Sequence, residues 1–160
     1  KDLIALFTGF SSGLGAAGAE LSAESIFKAV ATLRANSVTG NLAAVVHPFQ
    51  AYALKSTLTN TFAPNTSNDL VNEAMRNGYV GSIAGVDVYE SPNVAVDGSD
   101  DSIAAVFAPE ALAIALKSEF NLETQRNATR RGTELVATAI YGVAELDDSY
   151  GVKITADSVL

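Results

Sequence analysis

The chain has 160 residues, 48% of them hydrophobic and 18% charged, which is enough to bury one core as a single compact unit or two small subdomains. Its formal charge is -8, its Lys and Arg are scattered, and it has no Cys and one His. These counts exclude a disulfide framework, a thiolate nucleophile and most zinc or iron sites, and they argue against the dense basic face that nucleic-acid binding requires.

The first residues, Lys1-Asp2-Leu3-Ile4, hold no initiator Met, signal-peptide layout or helix cap, so the chain is expected to start within a longer protein. Asp2 to Phe10 reads as the last turns of a helix, ended by the glycine-dense run Ser11 to Gly18. Ser22 is a good N-cap for a helix over Ala23 to Ala35, with Glu24 complementing the macrodipole and Leu21 and Ile26 at staple positions. Ile26, Phe27, Val30 and Leu33 make its apolar face.

Leu42 to Val46 is an apolar run too short for a helix and reads as a buried strand, closed by His47-Pro48. Pro48 suits the first position of another helix, along which Phe49, Tyr52 and Ala53 share a face. Thr57 to Asn68 reads as a polar loop and Asp69 to Arg76 as a short helix stopped by Asn77-Gly78.

Tyr79 to Ile83 and Val86 to Glu90 predict a tight strand pair around Gly85, and Pro92 to Asp101 a second loop with an acidic, solvated tip. Ile103 to Ala108, Leu112 to Lys117 and Phe120 to Thr124 are further strands. The longest is Thr133 to Glu145, whose two faces both look at least half buried. After the Asp147-Asp148-Ser149 turn, Tyr150 to Thr155 is expected to return as its partner. No stretch reaches the roughly 20 uninterrupted apolar residues of a membrane helix, because Ile103 to Leu116 contains Pro109 and Glu110.

Two motifs resemble catalytic ones. Thr8-Gly9-Phe10-Ser11-Ser12-Gly13-Leu14-Gly15 resembles the cofactor loop of short-chain dehydrogenases/reductases, and Gly13, Gly15 and Gly18 fit the spacing that lets backbone N–H groups cradle a pyrophosphate. The context fails. The next helix is capped at Ser22 instead of opening inside the glycines, and the next strand starts too late for the ribose-binding acid. Tyr52/Lys55 and Tyr150/Lys153 stand three apart where that family has four.

Gly9-Phe10-Ser11-Ser12-Gly13 also fits the nucleophile-elbow pattern, but no strand precedes it and no acid–His set follows. His47 is expected to be structural, satisfied by neighbouring backbone. Asp97, Asp100 and Asp101 lack the alternation and closing Glu of a calcium loop. Asn65-Thr66-Ser67 and Asn127-Ala128-Thr129 match the glycosylation pattern, which is too short to inform function. Accordingly, no catalytic residue, cofactor site or metal site is assigned. The one basic cluster is Arg126, Arg130 and Arg131, flanked by Glu119, Glu123 and Glu134. It is read as a surface turn or as a set of contacts between subunits.

In chain order the elements resemble the C-terminal half of major capsid proteins with the Hong Kong ninety-seven fold. Leu21 to Ala35 followed by Asn41 to Gln50 resembles the axial domain's helix, buried strand and strand-to-helix corner. Gly81 to Ser91 resembles its G-x-I-x-G-x-x-V-x-x-S strand pair. Phe107 to Leu112 resembles the exit from that domain, and Arg131 to Glu145 the long returning strand of the peripheral domain.

The family's N-terminal arm, extended loop and most of its spine helix are not represented. The resemblance implies an α+β fold: the end of the spine helix and a connector over 1–20, an axial domain of sheet plus helices over 21–109, and strand-rich peripheral structure over 110–160. It further implies a shell subunit that partners itself in pentamers and hexamers around double-stranded DNA, without sequence-specific binding. Portal, scaffolding or decoration proteins are further expected partners. An encapsulin-like compartment subunit is the alternative within the same fold.

Overall fold

The computed structural model describes residues 1–62 and 79–159. Its elements are α1 (Asp2–Ala5), β1 (Gly13–Gly15), α2 (Ala23–Ala35), β2 (Leu42–Val46), α3 (Pro48–Phe62), β3 (Tyr79–Ile83), β4 (Val86–Glu90), β5 (Asp101–Phe107), β6 (Leu112–Asn127), β7 (Gly132–Glu145) and β8 (Gly151–Asp157). Short 3-10 turns follow α1, β5 and β7.

Among the described residues a six-stranded sheet has the order β1-β8-β5-β2-β4-β3. It is mixed: β1 runs parallel to β8 and β2 to β4, while the other neighbours are antiparallel. Its middle strands are apolar nearly throughout because both faces are covered. Ala104 and Val106 of β5 and Leu42, Ala44 and Val46 of β2 pack with Ile26, Ala29 and Leu33 of α2 and with Ala51 and Leu54 of α3. Ala105 lies on the opposite face beneath Phe7 and Phe10, with Val45, Ile103 and Phe107 packed around them.

Local signals act as the residue chemistry requires. Ser22 caps α2, its side chain accepting from the Ser25 N–H, and Leu21 and Ile26 are buried together in the same core. Ala84 and Gly85 both have positive φ between β3 and β4, the primed turn that suits a two-residue hairpin.

Several expectations are corrected. Phe27 is 53% exposed and leaves the buried face of α2 to Ile26, Ala29 and Leu33. On α3, Phe49 and Tyr52 face outward and Gln50, Ala51 and Leu54 face inward. Gln50 sets this rotation. Its Nε2 donates to the carbonyls of Ser102 and Ala156 at 3.0 and 2.9 Å, and its Oε1 accepts from the His47 N–H, so the buried amide is satisfied on both sides. Helix α3 continues through Phe62, inside the segment expected to be a loop. The rest of that loop and the expected helix Asp69 to Arg76 lie outside the described residues.

The two strands expected over Leu112 to Thr124 are one strand, β6, with register irregularities between Leu116 and Asn121. The expected pairing of Thr133 to Glu145 with Tyr150 to Thr155 does not occur: β7 pairs with β6, and β8 returns to the six-stranded sheet. A hairpin is prevented by the 3-10 turn Asp148–Tyr150, where the Asp147 carboxylate accepts from the Ser149 N–H. The turn delivers Val152, Ile154 and Ala156 into the core beside β5. The span 110–160 is therefore not one peripheral unit, because its last strand belongs to the central sheet.

Candidate assembly surface

Strands β6 and β7 pair from Leu112↔Glu145 out to Asn127↔Gly132 and hydrogen-bond to no other described strand. The 16 residues of β6 make a ribbon about 50 Å long. The sequence suggested that both faces of β7 are half buried, and this is overturned: nearly every residue of the ribbon is exposed. A two-stranded ribbon alone in water is marginal. This one nevertheless displays Leu116 at 63%, Phe120 at 71% and Leu135 at 66% exposure.

The register sorts the ribbon into two unlike faces. Cross-strand pairs Ile114↔Val143, Leu116↔Tyr141, Leu122↔Ala137 and Thr124↔Leu135 lie on one face, which is largely apolar between Glu145 at the root and the Arg126↔Thr133 pair near the tip. Pairs Ala115↔Gly142, Ser118↔Ile140, Asn121↔Thr138, Glu123↔Val136 and Gln125↔Glu134 lie on the other, which mixes carboxylates, amides and hydroxyls with the aliphatic Ala115, Val136 and Ile140.

The charged candidates fall on the same ribbon. Arg126 pairs opposite Thr133, and Arg130 and Arg131 occupy the tip turn, where the Arg131 N–H donates to the Ala128 carbonyl and Arg131 takes φ 50. Glu119 sits in the irregular stretch of β6, and Glu123 and Glu134 lie on the mixed face. All six are exposed, and among the described residues none is ion-paired to another. Asn127 ends β6 opposite Gly132, and Ala128 and Thr129 lie in the tip turn.

At the root the ribbon meets the N-terminal segment. Tyr141 donates its hydroxyl to Asp2 at 2.6 Å, and the bond to that carboxylate and its charge hold the phenol above its ordinary pKa. The Leu146 N–H donates to the Ala111 carbonyl at 2.8 Å. Burial, and then the charge and hydrogen bond of Asp148, raise the Glu145 carboxyl above its ordinary value. Neither Tyr141 nor Asp148 stood out in the sequence, because their partners Asp2 and Ser11 are more than a hundred residues away along the chain.

The enzyme-like motifs take structural positions. Gly13 to Gly15 forms β1, an edge strand of the sheet and not a loop opening a helix. At Gly15, φ is +83 and an added Cβ would meet the Thr155 carbonyl oxygen at 2.1 Å. The Gly18 N–H, which a phosphate would need, donates to the Asp101 carboxylate at 2.7 Å. Asp101 is therefore buried rather than part of a solvated tip, and Asp97 accepts from the N–H groups of Ser99 and Asp101. His47 Nδ1 accepts from the Phe49 N–H at 3.4 Å at the start of α3, and burial lowers its pKa.

Solved structures repeat this arrangement. The chain is similar to a structure from Mycobacterium phage Che8, with a TM-score of 0.72 and 22% identity over 94% of this chain and 55% of that one. It is similar to the capsid of the cyanophage P-SCSP1u, with a TM-score of 0.71 and 15% identity over 99% of this chain and 60% of that one. A third similarity is to the holo-SrpI encapsulin complex from Synechococcus elongatus, with a TM-score of 0.66 and 12% identity over 93% of this chain and 54% of that one. This chain thus spans little more than half the length of those structures.

A mixed sheet covered on both faces, with a long ribbon projecting from it, is here the α+β capsid fold of the Hong Kong ninety-seven type. No curated protein sequence matches the chain. The family described as phage capsid protein matches residues 1–154, and the chain belongs to that family.

Proposed function

We propose that this chain is the C-terminal part of a phage major capsid protein, which assembles into pentamers and hexamers of an icosahedral shell enclosing double-stranded DNA. The observation that carries this reading is the ribbon. Burying a large aliphatic or aromatic side chain is worth about 1.5–3 kcal/mol. Leu116, Phe120, Leu122, Leu135 and Tyr141 forgo that gain while exposed, and an apolar patch of this kind marks an interaction surface.

The domain assignment follows the sheets. Residues 21–109 together with β8 are the axial domain, β6 and β7 are peripheral, and residues 1–20 carry the end of a spine helix and the connector. Arg126, Arg130 and Arg131, without an ion pair among the described residues, contact carboxylates of neighbouring copies, with Glu119, Glu123 and Glu134 as the acidic side. An acidic subunit with a basic tip is complementary to itself. The chain acts as a structural subunit of the virion, with assembly in the host cytoplasm. Portal, scaffolding and decoration proteins are its further partners.

Similarity to the encapsulin complex supports a second reading, a protein compartment with the same subunit fold. Expression of the full-length protein followed by electron microscopy and nuclease digestion tests both. Closed shells support the capsid reading, and DNA protected inside particles from infected cells separates it from the compartment. A small oligomer that never closes would overturn both.

A further inference from the structure

We propose that residues 1–11 form a brace for the β6–β7 ribbon: anchored to the sheet at Ser11 and clasped to β7 at Asp2, the segment sets the ribbon's angle. The inference rests on contacts within the subunit and stands whether or not the chain builds a shell.

The anchored end is held by hydrogen bonds and by burial. Asp148 accepts from the Ser11 N–H at 2.7 Å and from the Ser11 hydroxyl, so one carboxylate takes both donors of one residue. The turn that carries Asp148 is itself fixed. Asn36, at the end of α2, donates its Nδ2 to the Ser149 carbonyl at 3.2 Å, and the Ala108 N–H donates to the Tyr150 carbonyl at 3.0 Å. Beside it Lys153 of β8 donates its N–H to the Ser12 carbonyl at 2.9 Å and its Nζ to the Thr8 carbonyl at 3.2 Å. Phe7 and Phe10, buried with Ala105, fasten the middle of the segment to the sheet.

The other end reaches the ribbon. Asp2 accepts from the Tyr141 hydroxyl at 2.6 Å, and among the described residues this is the single side-chain hydrogen bond between β6 or β7 and the rest of the chain. Both partners are exposed, so water competes for the bond and the clasp opens without disturbing the core.

Its position gives this one bond its effect. Tyr141 stands four residues from Glu145 at the root, about 14 Å out along a ribbon about 50 Å long. A swing of about 10° away from α1 would carry Tyr141 by about 2 Å, out of hydrogen-bonding reach, and the tip by about 9 Å. A closed clasp therefore holds the ribbon within a few degrees of one angle. A displacement of α1 is passed to the tip enlarged several-fold.

The test is a distance measurement in the full-length protein, with any Cys outside this chain changed to Ser and the subunit kept below its assembly concentration. Spin labels are placed at Ala31→Cys on α2 and Thr129→Cys in the tip turn, both exposed positions, and pulsed electron spin resonance reads the distance between them. The parent is expected to give one narrow distribution. Tyr141→Phe, which removes only the hydroxyl, and Asp2→Ala are each expected to broaden and shift it by several ångströms at an unchanged melting temperature. Asp2→Asn keeps an accepting oxygen and is expected to keep the narrow distribution. A Tyr141→Phe distribution like the parent's, a broad parent distribution, or an Asp2→Asn distribution as broad as that of Asp2→Ala overturns the brace.

Discussion

Gly151 lies so close against Phe10 that a Cβ built on it would stand 2.2 Å from the ring's Cζ. Phe10 is fully buried, its ring centroid 6.3 Å from that of Phe7, which meets Phe107 at 5.4 Å. This aromatic group fills the sheet face opposite α2 and α3, and β8 begins directly beneath it.

Gly151→Ala should therefore act as overpacking and destabilise the subunit by about 1–3 kcal/mol. Phe10→Leu should cost stability alone yet reduce the penalty of Gly151→Ala when the two are combined, because a smaller side chain frees the space. Urea unfolding of the double-mutant cycle measures the coupling, and strictly additive costs would contradict the contact.

The glycines near the N-terminus make a graded test of their structural role. Gly18 has φ +72 with nothing near a Cβ, so Gly18→Ala should cost the left-handed penalty of about 1–2 kcal/mol. Gly15→Ala adds a backbone clash with Thr155 to the same penalty and should cost more. Nicotinamide cofactor should leave the melting temperature unchanged, since a real site at a hundredfold excess over Kd would add about 2.7 kcal/mol.

Elements fixed by their own residues were legible in the sequence. Ser22, the run Leu42 to Val46, Pro48 and the Ala84-Gly85 turn each carry a local signal, and each sits where that signal placed it. What the sequence hid depends on distant partners. Gln50 looks like a surface residue until Ser102 and Ala156 present their carbonyls to it, and that bond turns Tyr52 outward. The alternation along Leu135, Ala137, Ala139, Tyr141 and Val143 announced a strand, which is β7, but both of its faces were expected to be at least half buried. It was misread as burial because alternation reports a face's chemistry and not whether this chain covers it. Of the cluster read as a surface turn, Arg130 and Arg131 lie in the tip turn while Arg126 lies in β6 opposite Thr133, because the strand runs further toward the tip than its charged sequence suggests.

His47 gives the pH dependence a sign at the start of α3. Burial lowers its pKa from 6.5, and its neutral Nδ1 accepts the Phe49 N–H. The folded state therefore binds the proton less tightly than the unfolded chain. Stability from this site is present above pH 6.5 and is lost as pH falls toward the lowered value. His47→Asn keeps an acceptor without titrating, so its stability between pH 7 and 5.5 should fall less than the parent's. Equal slopes in denaturant titrations would remove His47 as the cause.

The ribbon separates folding from assembly within one molecule. Leu116, Leu122 and Leu135 are each more than half exposed, so replacing one with Asp removes little buried area and should change subunit stability by no more than about 0.5 kcal/mol. On the assembly side the same change places a charge on the apolar face shared by Ile114, Leu116, Leu122, Leu135 and Tyr141. Burying that charge against a partner without compensation is costly. Leu122→Asp should therefore yield a subunit with the parent's denaturation midpoint that fails to enter closed particles in sedimentation. Arg130→Glu should weaken assembly more at low salt than at high salt, because the tip contact is electrostatic and screened. A Leu122→Asp subunit that assembled at the parent's yield would show that this face stays in solvent in the finished shell, and the ribbon would lose its place as the assembly surface.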